Sequence, residues 1–284
     1  MLQSMVQPGG ELKEHCIVIP VFNQWSYTAG CLDGLLRSGV PSSSIVVVDN
    51  ASTDGTADRL AGYVGVNVIR NDTNRGCAGA WNQGVQAFPA EWTVLLNNDV
   101  LIPSRWLDGL SSFAAEENID VVSPAMCEGE QDYDFEAHAL HFMESMTRVK
   151  RQGIAFGVCF MVHRRVFDAL GLFDDDPRLG GYEDDEFFRR SRKGGFRIAV
   201  TGRSFLHHFG SITQKSIKDS LKKPARYSLG DKAYYRRKYG LTWFKRRRER
   251  WREKLLTATC RLTERTRYGR TLWSRREDGI FIWK

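Results

Sequence analysis

Short apolar runs rich in β-branched residues alternate along the first hundred positions with stretches whose apolar residues recur every three or four positions. The runs at 16–21, 45–48, 66–70 and 92–96 read as strands. Between the first two, Asn23 offers a helix cap, Leu32, Leu35 and Leu36 share a helical face, and Gly39 and Pro41 close the element. Helices are also predicted over 53–63 and over the glycine- and alanine-rich 76–88. Strands and helices joined by short connections predict an α/β fold with a doubly wound, mostly parallel sheet.

Beyond Asp99 the pattern loosens. A helix is predicted over 106–117 and a short strand over 121–124. The polar, weakly periodic 127–151 is expected to be a mobile loop over a site. The apolar 157–163 reads as an edge strand, 183–193 as a helix that begins with acids, and 196–201 as a further strand. No internal repeat or low-complexity segment interrupts the chain.

The second strand ends in Asp49, and ligands of open α/β sheets bind beyond the carboxyl ends of such strands. A capped turn explains the same residue equally well, with Ser52 or Asp54 satisfying the backbone of the next helix. Asp99 likewise follows an apolar run, Val94 to Leu96, through Asn97 and Asn98. A carboxylate there can hold a hard divalent cation, or simply form a turn. Small residues from Asn74 to Gly84 permit close approach of a phosphate or, as commonly, tight packing of a helix on the sheet. Glu183, Asp184, Asp185 and Glu186 crowd four carboxylates into one helical turn, where mutual repulsion can raise a pKa into the range of a general base. Their competing role is to complement the helix dipole. His207 and His208 follow a strand end and could complete a metal site with Asp99, or be polar surface.

Composition narrows the class. At 284 residues and 42% apolar, with eight tryptophans, the chain has ample material for a folded core. No apolar run reaches the roughly 18 residues of a membrane span. Residues 1–14 lack an apolar core and are expected to be a leader rather than a secretory signal. Six scattered cysteines without a Cys-x-x-Cys pair suggest free thiols in a reducing cytosol. The net charge of +7 is unevenly spread: 221–284 carry 21 Lys and Arg against 6 Asp and Glu, and the remainder is mildly acidic.

Taken in order, Pro20-Val21-Phe22-Asn23, Val48-Asp49-Asn50-Ala51-Ser52-Thr53-Asp54-Gly55-Thr56, Asn74-Arg75-Gly76 with Asn82-Gln83-Gly84, Leu96-Asn97-Asn98-Asp99 and Glu183-Asp184 resemble the family 2 glycosyltransferases. Within them the chain looks most like bacterial rhamnosyltransferase-type enzymes of surface polysaccharide assembly. The resemblance covers roughly 15–215. It implies a GT-A fold, a nucleotide-diphosphate sugar donor, a divalent metal (Mg2+ or Mn2+), inversion at the anomeric carbon and a glycan or lipid-linked acceptor. Carried over by position, Pro20, Phe22, Asn23, Asp49 and Arg75 belong to donor binding. Asn98 would lie near the ribose or phosphate, Asp99 with His207 or His208 at the metal, and Asp184 would be the catalytic base with Glu183 beside it. Many relatives have two or three acids where this chain has Asn97-Asn98-Asp99. The implied organisation is a leader (1–14), a catalytic domain with a nucleotide-binding half (15–100) and an acceptor-binding half (101–215), and a basic helical C-terminal region (216–284).

In that last region Phe244, Trp251, Leu255, Ala258 and Leu262 share one helical face amid arginines. A basic amphipathic helix carrying Trp reads as a membrane-surface element, placing a cytoplasmic enzyme on the inner face of the membrane, or as a helix packed on the catalytic domain. Nucleic acid is not expected, since no recognition motif accompanies the charge. Two other readings share the scaffold: a nucleotidyltransferase, and a non-catalytic sugar- or membrane-binding protein. The first would carry a glycine-rich basic loop after the first strand, where Val21-Phe22-Asn23-Gln24 stands.

Overall fold

The computed structural model describes residues 12–210, 212 and 230–284. The expected leader lies mostly outside these residues, as does the boundary near 215. Strands β1 (Lys13–Val21), β2 (Ile45–Asp49), β3 (Asn67–Arg70) and β4 (Ala90–Leu96) form a parallel block in the order β3-β2-β1-β4. The run from Ile45 to Asp49 is wholly buried because both its faces are covered, whereas edge strand β3 alternates between half-buried and exposed. Helices α1 (Trp25–Arg37), α2 (Thr56–Leu60) and α3 (Gly76–Ala87) supply the crossovers. α1 and α4 (Trp106–Glu117) cover one face through Leu32, Leu35, Trp106 and Leu110. On the other face lie α3, α6 (Arg164–Leu170) and α7 (Glu183–Lys193), packed through Trp81, Val166 and Phe187.

The remaining strands are β5 (Val100–Leu101), β6 (Val121–Gly129), β7 (Lys150–Gln152), β8 (Cys159–His163), β9 (Ile198–His208), β10 (Trp273–Glu277) and β11 (Ile280–Trp283). β8 is not an edge strand. It runs antiparallel between β4 and β6, and its unbroken apolar run is that of a strand buried on both sides. The expected end of a strand at Pro124 also fails. β6 continues to Gly129 because the β6–β9 register shifts beside the proline, from Pro124 opposite Thr201 to Ala125 opposite Phe205. Three residues of β9 are thereby looped out where Pro124 has no N–H to give.

The segment 127–151 is not a loop. It holds the end of β6, helix α5 (Phe135–Met146) and β7. The Asp134 carboxylate caps α5 by accepting from Ala137 N at 3.1 Å, and Ala139, Phe142, Met143 and Met146 form its buried stripe. Asn23 caps no helix: it is left-handed itself, and its Oδ1 accepts from Thr53 N at 2.7 Å, tying the turns after β1 and β2 together.

The C-terminal region is only partly helical. After α8 (Lys232–Lys238) and α9 (Trp243–Tyr268), β10 and β11 form a hairpin whose first strand extends the sheet beside β6. Asp278 and Gly279, both at positive φ, form its two-residue turn. Glu264 of α9 fastens this region to the sheet. Its carboxylate, buried, receives Arg151 Nε at 2.7 Å and Nη2 at 2.8 Å, and Leu272 N at 3.0 Å.

Candidate active site

The carboxyl ends of β1 and β4, the start of α3 and the start of α7 enclose a cleft of about 820 Å3. Of the residues singled out in the sequence, Pro20, Phe22, Arg75, Asn98, Asp99, Glu183, Asp184 and His208 line it. Asn23, Asp49 and His207 do not.

Asp49 lies just behind the wall, fully buried. Its Oδ1 accepts from Ser52 N at 2.9 Å, so it does form the turn. Its Oδ2 has no hydrogen-bond partner among the described residues, only Arg70 Nε at 3.9 Å. The adjacent Asn50 faces the cleft and organises the loop. Its side chain accepts from Asn71 Nδ2 at 2.9 Å and donates to Gly76 O at 3.0 Å, which sets the entry to α3. Of the two roles foreseen for the small residues of α3, tight packing of the helix on the sheet is the one seen. Gly76, Cys77 and Ala78 line the cleft, while Gly84 is pressed so closely on Val18 that a Cβ would overlap it.

Asp99 and His208, both buried, face each other at 3.4 Å between Oδ1 and Nε2, and Glu128 Oε1 lies 3.3 Å from His208 Nδ1. Burial favours a neutral imidazole, but the two carboxylates win and hold His208 at about 9. Burial also opposes ionisation of Asp99, yet His208 and the backbone N–H of Ile212 keep its carboxyl below the usual range. The register shift beside Pro124 makes this trio, since it brings Glu128 opposite His208 on the β6–β9 ladder. Glu128 escaped sequence reasoning although it ends an apolar strand just as Asp49 and Asp99 do.

His207, next along β9, points to the opposite face. Its Nε2 donates to Gly129 O at 3.1 Å and its Nδ1 accepts from Tyr133 Oη at 2.8 Å; burial lowers it to about 4. It is a neutral structural residue that faces away from Asp99. No three His, Cys, Asp or Glu side chains among the described residues converge as a ready metal cage. Asp99 and His208 could supply a divalent cation with one carboxylate and, once the cation has displaced the proton that Asp99 and Glu128 hold on the ring, one imidazole.

The four acids of α7 divide. Glu186 turns away, held by Arg190 at 2.8 Å, by Lys238 at 3.4 Å and by the Tyr239 hydroxyl. Asp185 is exposed. Glu183 and Asp184 face the cleft. Burial, with Asp184 beside it, raises Glu183 to about 7; burial and the charge of Asp185 raise Asp184 to about 6. A carboxylate poised near 6 can accept a proton at neutral pH. Asn98, finally, is anchored by its Nδ2 donating to Thr28 Oγ1 at 2.9 Å.

Comparison with known proteins bears on the family and the fold. Among curated relatives, glycosyltransferase GlyG of Streptococcus pneumoniae is 24% identical over 110 residues, 37% of this chain and 36% of that protein. The dTDP-rhamnosyl transferase RfbF of Shigella flexneri is 24% identical over 186 residues, 61% of this chain and 62% of that one. The chain thus spans less than two thirds of the length of these relatives. Solved structures share the fold. GalNAc-T7 with UDP, GalNAc and Mn2+ superposes with a TM-score of 0.56 at 16% identity, covering 71% of this chain and 44% of that one. The Pyrobaculum calidifontis mannosyltransferase PcManGT with GDP-Man and Mn2+ gives 0.53 at 20% identity, covering 69% and 57%. The sheet with its flanking helices is accordingly of the GT-A type. The profile described as Glycosyl transferase family 2 matches residues 16–171, more than half of the chain, and the protein belongs to that family.

Proposed function

We propose that this protein moves a sugar, with inversion, from a nucleotide-diphosphate donor to a hydroxyl of a glycan or lipid-linked acceptor in cell-surface polysaccharide assembly. The observation that carries this reading is the convergence of Arg75, Asn98, Asp99 and Asp184 on one cleft at the strand ends. The donor half is 15–100 and the acceptor half 101–215, with 216–284 as a basic appendage whose hairpin completes the sheet. Pro20, Phe22 and Arg75 hold the nucleobase end, and Asp49, buried just behind it, braces it through the turn that Ser52 and Asn23 tie. Asp99 and His208 are the residues to hold Mg2+ or Mn2+, which when bound neutralises charge on the diphosphate.

Asp184 takes the proton from the acceptor hydroxyl. That oxygen bonds to the anomeric carbon as the bond to the diphosphate breaks on the opposite side, and configuration inverts. Proton abstraction of this kind contributes about 10²–10⁴-fold. Glu183, closer to neutrality, shares the pocket and keeps the local charge low. Rhamnose is the donor sugar favoured by the similarity to RfbF. A peripheral position on the cytoplasmic face of the membrane suits a lipid-linked acceptor. Asp184→Asn is expected to abolish transfer while nucleotide-sugar binding, measured by calorimetry, stays within a few-fold of wild type. Retained turnover in that variant removes Asp184 from the mechanism.

A further inference from the structure

Among the described residues, α9 touches the rest of the chain along one side only. Glu249 receives Arg189 Nη2 of α7 at 3.0 Å, Glu264 holds the buried Arg151, and Cys260 between them is partly covered. At ~100° per residue these three positions share one flank of the helix. On the opposite flank, within about 40° of arc, stand Phe244, Trp251, Leu255 and Leu262. They are 77%, 65%, 71% and 66% exposed. The packing of this row on the catalytic domain, one of the two arrangements foreseen for it, is not what the described residues show. Arg247 and Arg261 border the row on one side, Arg248 and Arg252 on the other, all four exposed.

A row of large apolar side chains in water marks an interaction surface. Its charge selects the occupant. α9 carries ten Lys and Arg against three Glu, and two of those Glu are already engaged by Arg189 and Arg151. A second copy of the chain would bring like charge against like. An anionic bilayer accounts for both features: the apolar row enters the headgroup–acyl boundary, and the flanking arginines reach lipid phosphates. We propose that the Phe244, Trp251, Leu255 and Leu262 face of α9 docks the protein on an anionic lipid bilayer. The consequence for transfer rests on the function proposed above, whereas the docking stands on α9 alone. Glu249 and Arg189 join α9 to α7, whose first turn bears Asp184, so a docked α9 holds the cleft at the surface where a lipid-linked acceptor resides.

The test uses the full chain and sedimentation with vesicles of phosphatidylcholine, alone or mixed with phosphatidylglycerol, at low and high salt. The protein should pellet with the mixed vesicles, more weakly at high salt, with a blue shift of Trp emission. The double variant Trp251→Glu, Leu255→Glu, altered only at exposed positions, should lose at least about tenfold in vesicle affinity with an unchanged circular dichroism spectrum. Turnover on a water-soluble acceptor, followed in parallel, should survive in that variant, which separates loss of docking from loss of chemistry. Wild-type protein left in the supernatant at low salt overturns the proposal. So does equal vesicle binding by the double variant, which would mean adhesion by charge alone. A lipid-free dimer abolished by the same two changes would assign the face to a second copy instead.

Discussion

Gly157 stands directly behind the carboxylate of Asp184: a Cβ at this position would overlap Oδ2 and crowd Cγ. The approach leads into β8 and fixes where the candidate base can sit. Gly157→Ala should therefore push the carboxylate out of line, lowering kcat on the order of 10²-fold, the usual penalty of a misplacement near 1 Å. Donor affinity by calorimetry should change little. An unaltered kcat would show that the chemistry does not depend on this carboxylate's position.

Burial holds Asp184 at about 6 and Glu183 at about 7. The proposed role requires Asp184 ionised, so kcat/KM should rise with pH through about 6 and fall away below it. Stability runs the other way. Both carboxyls bind protons more tightly folded than unfolded, so the stability they lend at low pH is lost as pH rises from about 4 through 7. Glu183→Gln should flatten the decline in Tm over that interval, and an unchanged slope would mean that Glu183 is not raised.

Chelation with EDTA should abolish turnover, and Mn2+ should restore it. Asp99→Ala and His208→Ala should each raise the Mn2+ required at least about tenfold. His207→Phe should leave the Mn2+ response unaltered. It should instead cost about 1–3 kcal/mol in stability, since the Tyr133 hydroxyl and Gly129 carbonyl lose their buried partner. Equal Mn2+ responses for the two histidine variants would refute the division of roles between the faces of β9.

Glu264→Ala leaves the Arg151 guanidinium buried and uncompensated, an arrangement that costs about 3–5 kcal/mol. Urea melts should show this loss. The double replacement Arg151→Met, Glu264→Leu should recover much of it, because a well-packed apolar pair avoids the desolvation of two charges.

The parallel half was legible because each strand of the block carries its own signature. Ile45 to Val48 is apolar throughout since both faces are covered, and Asp49 punctuates its end. The helix over Trp106–Glu117 and the acid-led helix over Glu183–Lys193 were equally plain from spacing. Helix α5 was missed although Ala139, Phe142, Met143 and Met146 repeat at helical intervals, because its polar flanks outweighed the stripe. The C-terminal hairpin announces itself only through Asp278-Gly279, because its short strands carry charged residues at 275–277 and lack a plain apolar alternation.

Local sequence determined which segments become strands and helices, that acids close Val48 and the Leu96 stretch, and that Asp184 begins a helix, since periodicity and caps act over a few residues. Tertiary structure decided which of those acids share a cleft. A one-residue step along β9 separates His208, beside Asp99, from His207 on the far face. A register shift at Pro124 brings Glu128 opposite His208, and the approach of Gly157 sets Asp184. Such choices depend on strand pairing and on contacts between residues far apart in the chain, where no local pattern can specify them.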